Sequence, residues 1–262
     1  PRTLQLGDPA RIAVKTGITT VADFRRNDIA AGGQGAPLAC AFHAWRFRSA
    51  EQDRVVLNLG GMANITVLPA RSDREITGFD TGPGNALMDS WIQLHQQCDF
   101  DTDGAWAASG KVDLQLLGLM LADSYFSNRP PKSTGKDDFN TGWLASKLNM
   151  TGRQIEPANV QATLLELTAR SISTAIAQNA AETTEVLICG GGVHNRALLQ
   201  RLKEYIPDRT IVPTDHYGVS ADAVEAVTFA WLAKCRLEQL PANIPTVTGA
   251  SRQVILGAIY CS

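Results

Sequence analysis

A diglycine set between two strand-forming runs constrains this chain more than any other feature. The runs are Val55-Val56-Leu57-Asn58-Leu59 and Asn64-Ile65-Thr66-Val67-Leu68, and Gly60-Gly61 lies between them. Side chains of this kind suit a pleated, half-buried surface, so the pattern predicts a β-hairpin closed by a short glycine turn. A third strand is predicted over residues 75–79. Gly82-Pro83-Gly84-Asn85 then opens a helix, with Asn85 as its N-cap and Met88, Trp91, Ile92 and His95 on one core-facing stripe.

The C-terminal half alternates strand and helix signals. Pro157 starts a helix whose Val160, Leu164, Leu167, Ile172 and Ile176 keep near-helical spacing. The short apolar run Val186-Leu187-Ile188-Cys189 leads into Gly190-Gly191-Gly192. A helix over residues 195–205, a strand over 210–212 and a last long helix over 221–234 follow. Ahead of the hairpin, residues 1–50 read as irregular pieces around Gly32-Gly33-Gln34-Gly35-Ala36-Pro37, with a helix over 38–47. A hairpin followed by alternating strands and helices predicts a mixed α/β fold.

Composition excludes several classes of function. A chain of 262 residues with 44% apolar and 19% charged residues is an ordinary globular protein. Its net charge of −2 offers no basic face for nucleic acid. The five cysteines (Cys40, Cys98, Cys189, Cys235, Cys261) form no CxxC pair, so neither a disulfide framework nor a metal centre is expected. No apolar run is long enough to span a membrane. The start, Pro1-Arg2-Thr3-Leu4, has neither an initiator methionine nor a signal-like apolar core.

Three glycine-rich segments are candidate sites. Gly60-Gly61 lets backbone amides approach an anion, as a nucleotide's phosphates require, although a lone diglycine is more often a structural turn. Gly190, Gly191 and Gly192, ending a buried strand, suit a nucleotide lying against bare backbone. Gly78-Phe79-Asp80-Thr81-Gly82-Pro83-Gly84-Asn85 places a carboxylate at the predicted carboxyl end of a strand, facing a helix N-terminus. Local sequence leaves Asp80 two roles, a turn-capping aspartate or a general base on water or a sugar hydroxyl.

Two look-alike motifs fail. Lys132-Ser133-Thr134-Gly135-Lys136-Asp137 lacks the earlier glycine and the Ser/Thr of a Walker A loop, which leaves a solvated loop as the default and a basic phosphate loop as the alternative. Asp99-Phe100-Asp101-Thr102-Asp103-Gly104 starts like an EF-hand, but its twelfth position is Gly110 rather than glutamate.

Taken in order, these segments resemble the anhydro-N-acetylmuramic acid kinase family, a branch of the actin/hexokinase/Hsp70-type ATPases. The similarity is carried by Asp28-Ile29-Ala30 with the 32–38 loop, Asn58-Leu59-Gly60-Gly61 with Ala63-Asn64, residues 78–85 with Asp89, Asp103-Gly104, Pro131-Lys132-Ser133-Thr134-Gly135, Gly190-Gly191-Gly192 with Asn195, and Asp222 with Glu225-Ala226. The resemblance implies an actin/hexokinase-like (ribonuclease H-like) two-domain α/β fold, with residues 1–50 a remnant of the first domain. Residues 51–262 would be the second, with the C-terminal segment packing back on the first.

It implies a cytoplasmic, homodimeric enzyme of cell-wall recycling that uses ATP and Mg2+. Asp80 would be the catalytic base. Gly60, Gly61, Gly82, Gly84, Asn85, Gly190, Gly191, Gly192 and Asn195 would lie on the nucleotide. Gln34, Gly35, Ala36, Pro37 and Glu225 would lie on the sugar. The alternatives are another sugar kinase of the superfamily and a non-catalytic sugar or nucleotide sensor. The family also carries an N-terminal Gly-Thr-Ser-x-Asp-Gly turn that is not found in these 262 residues. The first domain is therefore expected to be incomplete, with weak ATP binding and no turnover from residues 1–262 alone.

Overall fold

The computed structural model describes residues 3–262, so Pro1 and Arg2 of the unusual start lie outside the described residues. The first fifty residues are more regular than their sequence suggests. They hold α1 (Pro9–Thr16), β1 (Thr20–Ala22), α2 (Arg26–Ala30) and α3 (Ala39–Phe47). Asp8 caps α1 through a bond from the Arg11 amide, and left-handed Gly17 ends it.

The hairpin forms as β2 (Arg54–Leu59) and β3 (Met62–Leu68), and β4 spans Thr77–Pro83. Six helices separate β4 from β5: α4 (Ala86–Gln96), α5 (Ala105–Ser109), α6 (Leu114–Leu121), α7 (Ser124–Ser127), α8 (Thr141–Met150) and α9 (Pro157–Asn179). The chain ends with β5 (Glu185–Cys189), α10 (Arg196–Tyr205), β6 (Thr210–Pro213), α11 (Val224–Leu237), α12 (Pro245–Thr248) and β7 (Ala258–Tyr260).

One sheet runs in the order β4-β3-β2-β5-β6, with β2 antiparallel to β3 and parallel to β5. The fold is mixed α/β, as expected above. β1 and β7 pair antiparallel in a separate ribbon. Side chains alternate along each strand. Val55, Leu57, Leu59, Ile65 and Phe79 therefore share one core with Leu164, Leu167, Ile172 and Ile176 of α9. Val56, Leu68, Leu187 and Cys189 pack on the opposite face under Phe42, Phe47 and Val224. Apolar on both faces, β2 takes the middle of the sheet. Each of its fully buried side chains contributes roughly 1.5–3 kcal/mol.

Three expectations need correction. The third strand does not stop at residue 79: β3 pairs with it as far as Pro83, and the register slips beside Asn64 so that Thr81 bulges. Asp80 is consequently inside a strand, not at its carboxyl end. Asn85 holds the N-cap position of α4 but makes no side-chain cap; its amide instead donates to the Leu59 carbonyl at 3.0 Å. His95 is exposed rather than core-facing, and its ring stacks on Trp91 with centroids 4.1 Å apart.

Candidate active site

The glycine turns meet at the end of the central strands. The amides of Gly84 and Ala86 donate to the Gly61 carbonyl at 2.9 and 3.1 Å, and the Asn85 amide donates to the Gly60 carbonyl at 2.9 Å. The hairpin turn thus satisfies the Asn85 and Ala86 amides at the start of α4 and holds that helix end against Gly60-Gly61. What remains open is the outward side of Gly60-Gly61.

Cross-strand pairing assembles a polar row that local sequence does not reveal. Asn58 pairs with Asn64, Asn64 with Asp80, and Asn58 with Cys189. Asn58 and Asn64 therefore interrupt an otherwise apolar sheet face in line with the candidate base. Asp80 itself is half-buried. Its Oδ2 accepts from the Thr134 amide at 3.0 Å, and its carbonyl accepts from the Tyr125 hydroxyl at 2.6 Å. Burial pushes the Asp80 carboxyl above the usual aspartate range, and the Thr134 bond partly offsets that rise.

Beside this row lies a more deeply buried pair. His43 Nδ1 and Cys40 Sγ both contact Thr66 Oγ1, at 2.8 and 3.2 Å. Burial pushes the His43 pKa down to about 4, so the ring is neutral at pH 7. Burial raises the Cys40 thiol to about 11, with the bond to Thr66 opposing and the nearby Asp80 charge adding to the rise. This thiol is inert.

A cavity of about 400 Å³ opens over the row, lined by Asn58, Gly60 and Asn64, by Ala36 and Pro37, and by Gly190, Gly191, Asp222 and Glu225. A second, of about 370 Å³, is lined by Asn85, Met88, Asp89, Phe100, Gly191, Gly192 and Asn195. Gly191 borders both, and His194 Nε2 contacts the Asp222 carboxylate at 3.0 Å across their rim. Burial raises Asp89 to about 6, opposed by the nearby Lys136 charge and reinforced by Asp101. Of the residues assigned to the sugar, Gln34 is exposed and ties its amide to the Thr248 carbonyl at 2.8 Å, while Gly35 is buried. Asn195 caps α10 through the Leu198 amide at 2.9 Å.

The glycines separate into two kinds. A Cβ on Gly84 would lie 2.3 Å from the Gly60 carbonyl oxygen, and one on Gly190 would lie 2.5 Å from Asn58 Oδ1. Gly192 would meet Leu59 Cβ at 2.6 Å, and Gly82, at φ 143°, would meet the Phe126 ring at 2.7 Å. These positions need glycine for packing. A Cβ on Gly191, by contrast, would meet nothing within 4 Å. Gly84→Ala is expected to cost about 1–3 kcal/mol through backbone overpacking, whereas Gly191→Ala should leave the thermal midpoint unchanged. Scanning calorimetry of the two variants checks this, and an equally destabilised Gly191→Ala would contradict it.

Residues that the sequence reading left without roles, Asn58, Asn64, His43 and Asp222, all line the larger cavity. For Asn58 and Asn64 a signal existed: polar side chains at even steps within apolar strands. His43 carried none, because its partner Thr66 is distant in sequence.

Comparison with known proteins finds relatives along the whole chain. The family model described as anhydro-N-acetylmuramic acid kinase matches residues 1–262. The anhydro-N-acetylmuramic acid kinase of Saccharophagus degradans is 52% identical over 260 residues, which cover 99% of this chain and 69% of that protein. The protein of the same name from Coxiella burnetii is 50% identical over 260 residues, again covering 99% and 69%. Among solved structures, xylulose kinase from Rhodospirillum rubrum is similar over 75% of this chain and 40% of its own, at 15% identity and a TM-score of 0.45.

Proposed function

The chain belongs to the anhydro-N-acetylmuramic acid kinase family, and from that premise we propose the chemistry of its site. It is an ATP-dependent sugar kinase that opens the 1,6-anhydro ring of anhydro-N-acetylmuramic acid with water and phosphorylates O6. The products are N-acetylmuramic acid 6-phosphate and ADP, and the reaction belongs to peptidoglycan recycling. A cytoplasmic homodimer is part of the same reading. So is a division in which residues 1–50 belong to the first domain and residues 51–262 to the second, whose C-terminal strand β7 packs back on the first by pairing with β1.

The observation that carries the site assignment is the half-buried carboxylate of Asp80, aligned with Asn64 and Asn58 beside the cavity that Gly60 and Glu225 also line. Asp80 takes a proton from water as that water attacks the anomeric carbon. The bond from that carbon to O6 breaks, O6 bonds to the γ-phosphorus, and ADP leaves with the electrons of the broken P–O bond. One base suffices, because the released O6 is the nucleophile for phosphorus. The nucleotide's phosphates lie over Gly60-Gly61, its adenosine lies along Gly190–Gly192 toward the second cavity, and the sugar lies toward Pro37 and Glu225.

Among the described residues no group of three His, Cys, Asp or Glu side chains is placed to hold a metal. A magnesium ion entering with the nucleotide's phosphates belongs to the same proposal. That ion would neutralise the phosphates as charge shifts to ADP.

The direct test is incubation of a full-length version, carrying the N-terminal Gly-Thr-Ser-x-Asp-Gly turn, with ATP and either the anhydro-sugar or a plain hexose, followed by mass spectrometry. Appearance of N-acetylmuramic acid 6-phosphate with one oxygen from labelled water is expected. Phosphorylation of the hexose alone would remove the proposed substrate.

A further inference from the structure

The loop between α7 and α8, which by sequence is a solvated connection by default and a basic phosphate loop as the alternative, reaches both halves of the reaction centre. At its middle the Thr134 amide donates to Asp80 Oδ2 at 3.0 Å. Two residues on, the Lys136 side chain lies over the hairpin turn: a Cβ on Gly61 would sit 3.4 Å from Lys136 Cε. Among the described residues neither an ion pair nor a side-chain hydrogen bond engages the Lys136 ammonium, so its charge is available to a ligand over the turn.

Although exposed, Lys136 lies against the hairpin turn, and its charge is felt by a half-buried carboxylate. Across the turn is the half-buried Asp89, close enough for the lysine charge to hold its carboxyl below the value that burial alone would give. The loop is anchored on both sides of the lysine. Lys132 Nζ donates to the Tyr125 carbonyl at 3.0 Å and sits 4.6 Å from that ring's centroid. Thr134 Oγ1 donates to Asp138 Oδ2 at 2.8 Å, and Phe139 beyond it is buried in the core. A free cation on a tethered loop, above a turn with no side chains, is arranged to meet an anion with negative charge to spare.

We propose that Lys136 binds the γ-phosphate of ATP and stabilises the charge that develops on it as O6 attacks, while Thr134 of the same loop holds Asp80. This assignment rests on the reading of Gly60-Gly61 as the phosphate turn. Because the contact is to the γ-phosphate, it discriminates ATP from ADP. It also makes the loop a mechanical link between the water-activating base and the group being transferred.

Titration calorimetry with Mg-ATP and Mg-ADP on a full-length version, as wild type, Lys136→Ala and Lys136→Arg, tests it. Loss of a charge-assisted contact to phosphate is expected to weaken ATP roughly ten- to hundredfold in Lys136→Ala. ADP affinity should move less than about twofold and Lys136→Arg should recover most of the loss, since both side chains present a cation to phosphate. Equal weakening of ATP and ADP, or no weakening of either, would overturn the assignment. If the full-length wild type binds neither nucleotide, the phosphate-turn reading falls and Lys136 with it. A wild type that binds both while Lys136→Ala matches it removes the lysine alone.

Discussion

Asp80→Asn is expected to lower turnover of the anhydro-sugar by roughly 10²- to 10⁴-fold, the usual worth of a positioned general base. Ligand affinity should hold, because the substitution removes basicity while keeping shape. Asparagine retains a carbonyl oxygen to accept the Thr134 amide, which is 3.0 Å from the present carboxylate. The tether to the loop therefore survives, and Kd for ATP and sugar should change little. A sensor whose output depends only on binding would be unaffected, so a fully active Asp80→Asn protein would exclude the catalytic role.

The pH dependence carries the same signature. Asp80 must be ionised to accept a proton, so kcat/KM falls as pH drops through its pKa. Burial has moved that pKa upward, which places the acid limb above the ordinary aspartate range. Stability moves in the opposite sense. Between the unfolded value and the raised folded value, the native state keeps a proton that the unfolded chain has released, so stability falls as pH rises across that window. Asparagine has no charge to bury. The inactive variant should thus melt no lower than the wild type at pH 7, a pairing of lost activity with kept stability that structural damage would not give.

Much of this architecture is legible in the chain because the physics is local. Val55-Val56-Leu57 and Ile65 to Leu68 want a pleated surface, Gly60-Gly61 permits the turn, and Pro157 starts α9 at the residue expected for it. What escapes is set by partners far away in sequence. Nothing near Asp80 announces that β3 will extend β4 to Pro83, or that Thr81 will bulge. Asn85 looks like a cap, yet the Leu59 carbonyl, 26 residues earlier, claims its side chain. The helical stripe through His95 runs past the end of the core, so its last member stacks on Trp91 in solvent. The loop around Lys136 reads as a connection because its contacts, Asp80 and Gly61, are both long-range.

Asp28→Ala is expected to be among the most destabilising single changes in the chain, because it strips the acceptor from a buried hydrogen-bond network. Asp28 is 0% exposed. Its Oδ2 accepts from the Gly35 amide at 2.8 Å, while its Oδ1 accepts from Asn243 Nδ2 at 2.8 Å and Thr248 Oγ1 at 2.7 Å. Without the carboxylate, three buried donors lose their acceptor, at about 1–3 kcal/mol each before relaxation. The space is equally committed, since a Cβ on Gly33 would lie 2.2 Å from Asp28 Oδ2.

Asn is no rescue at this position. Its amide would turn hydrogens toward either the Gly35 amide or the Asn243 and Thr248 donors. Asp28→Asn should therefore still lose roughly 2 kcal/mol or more, in line with one unsatisfied buried donor. The carboxylate also fixes the turn that presents Ala36 and Pro37 to the larger cavity, with Gln34 held from the far side by the Thr248 carbonyl at 2.8 Å. Its loss should raise KM for the sugar more than KM for ATP, because Gly60-Gly61 and Gly190–Gly192 stand on the sheet and do not depend on that turn. Denaturant melts give the stability change, and paired KM values separate loop loosening from global failure. A variant that is destabilised but keeps its sugar KM would show that Asp28 holds the fold without shaping the site.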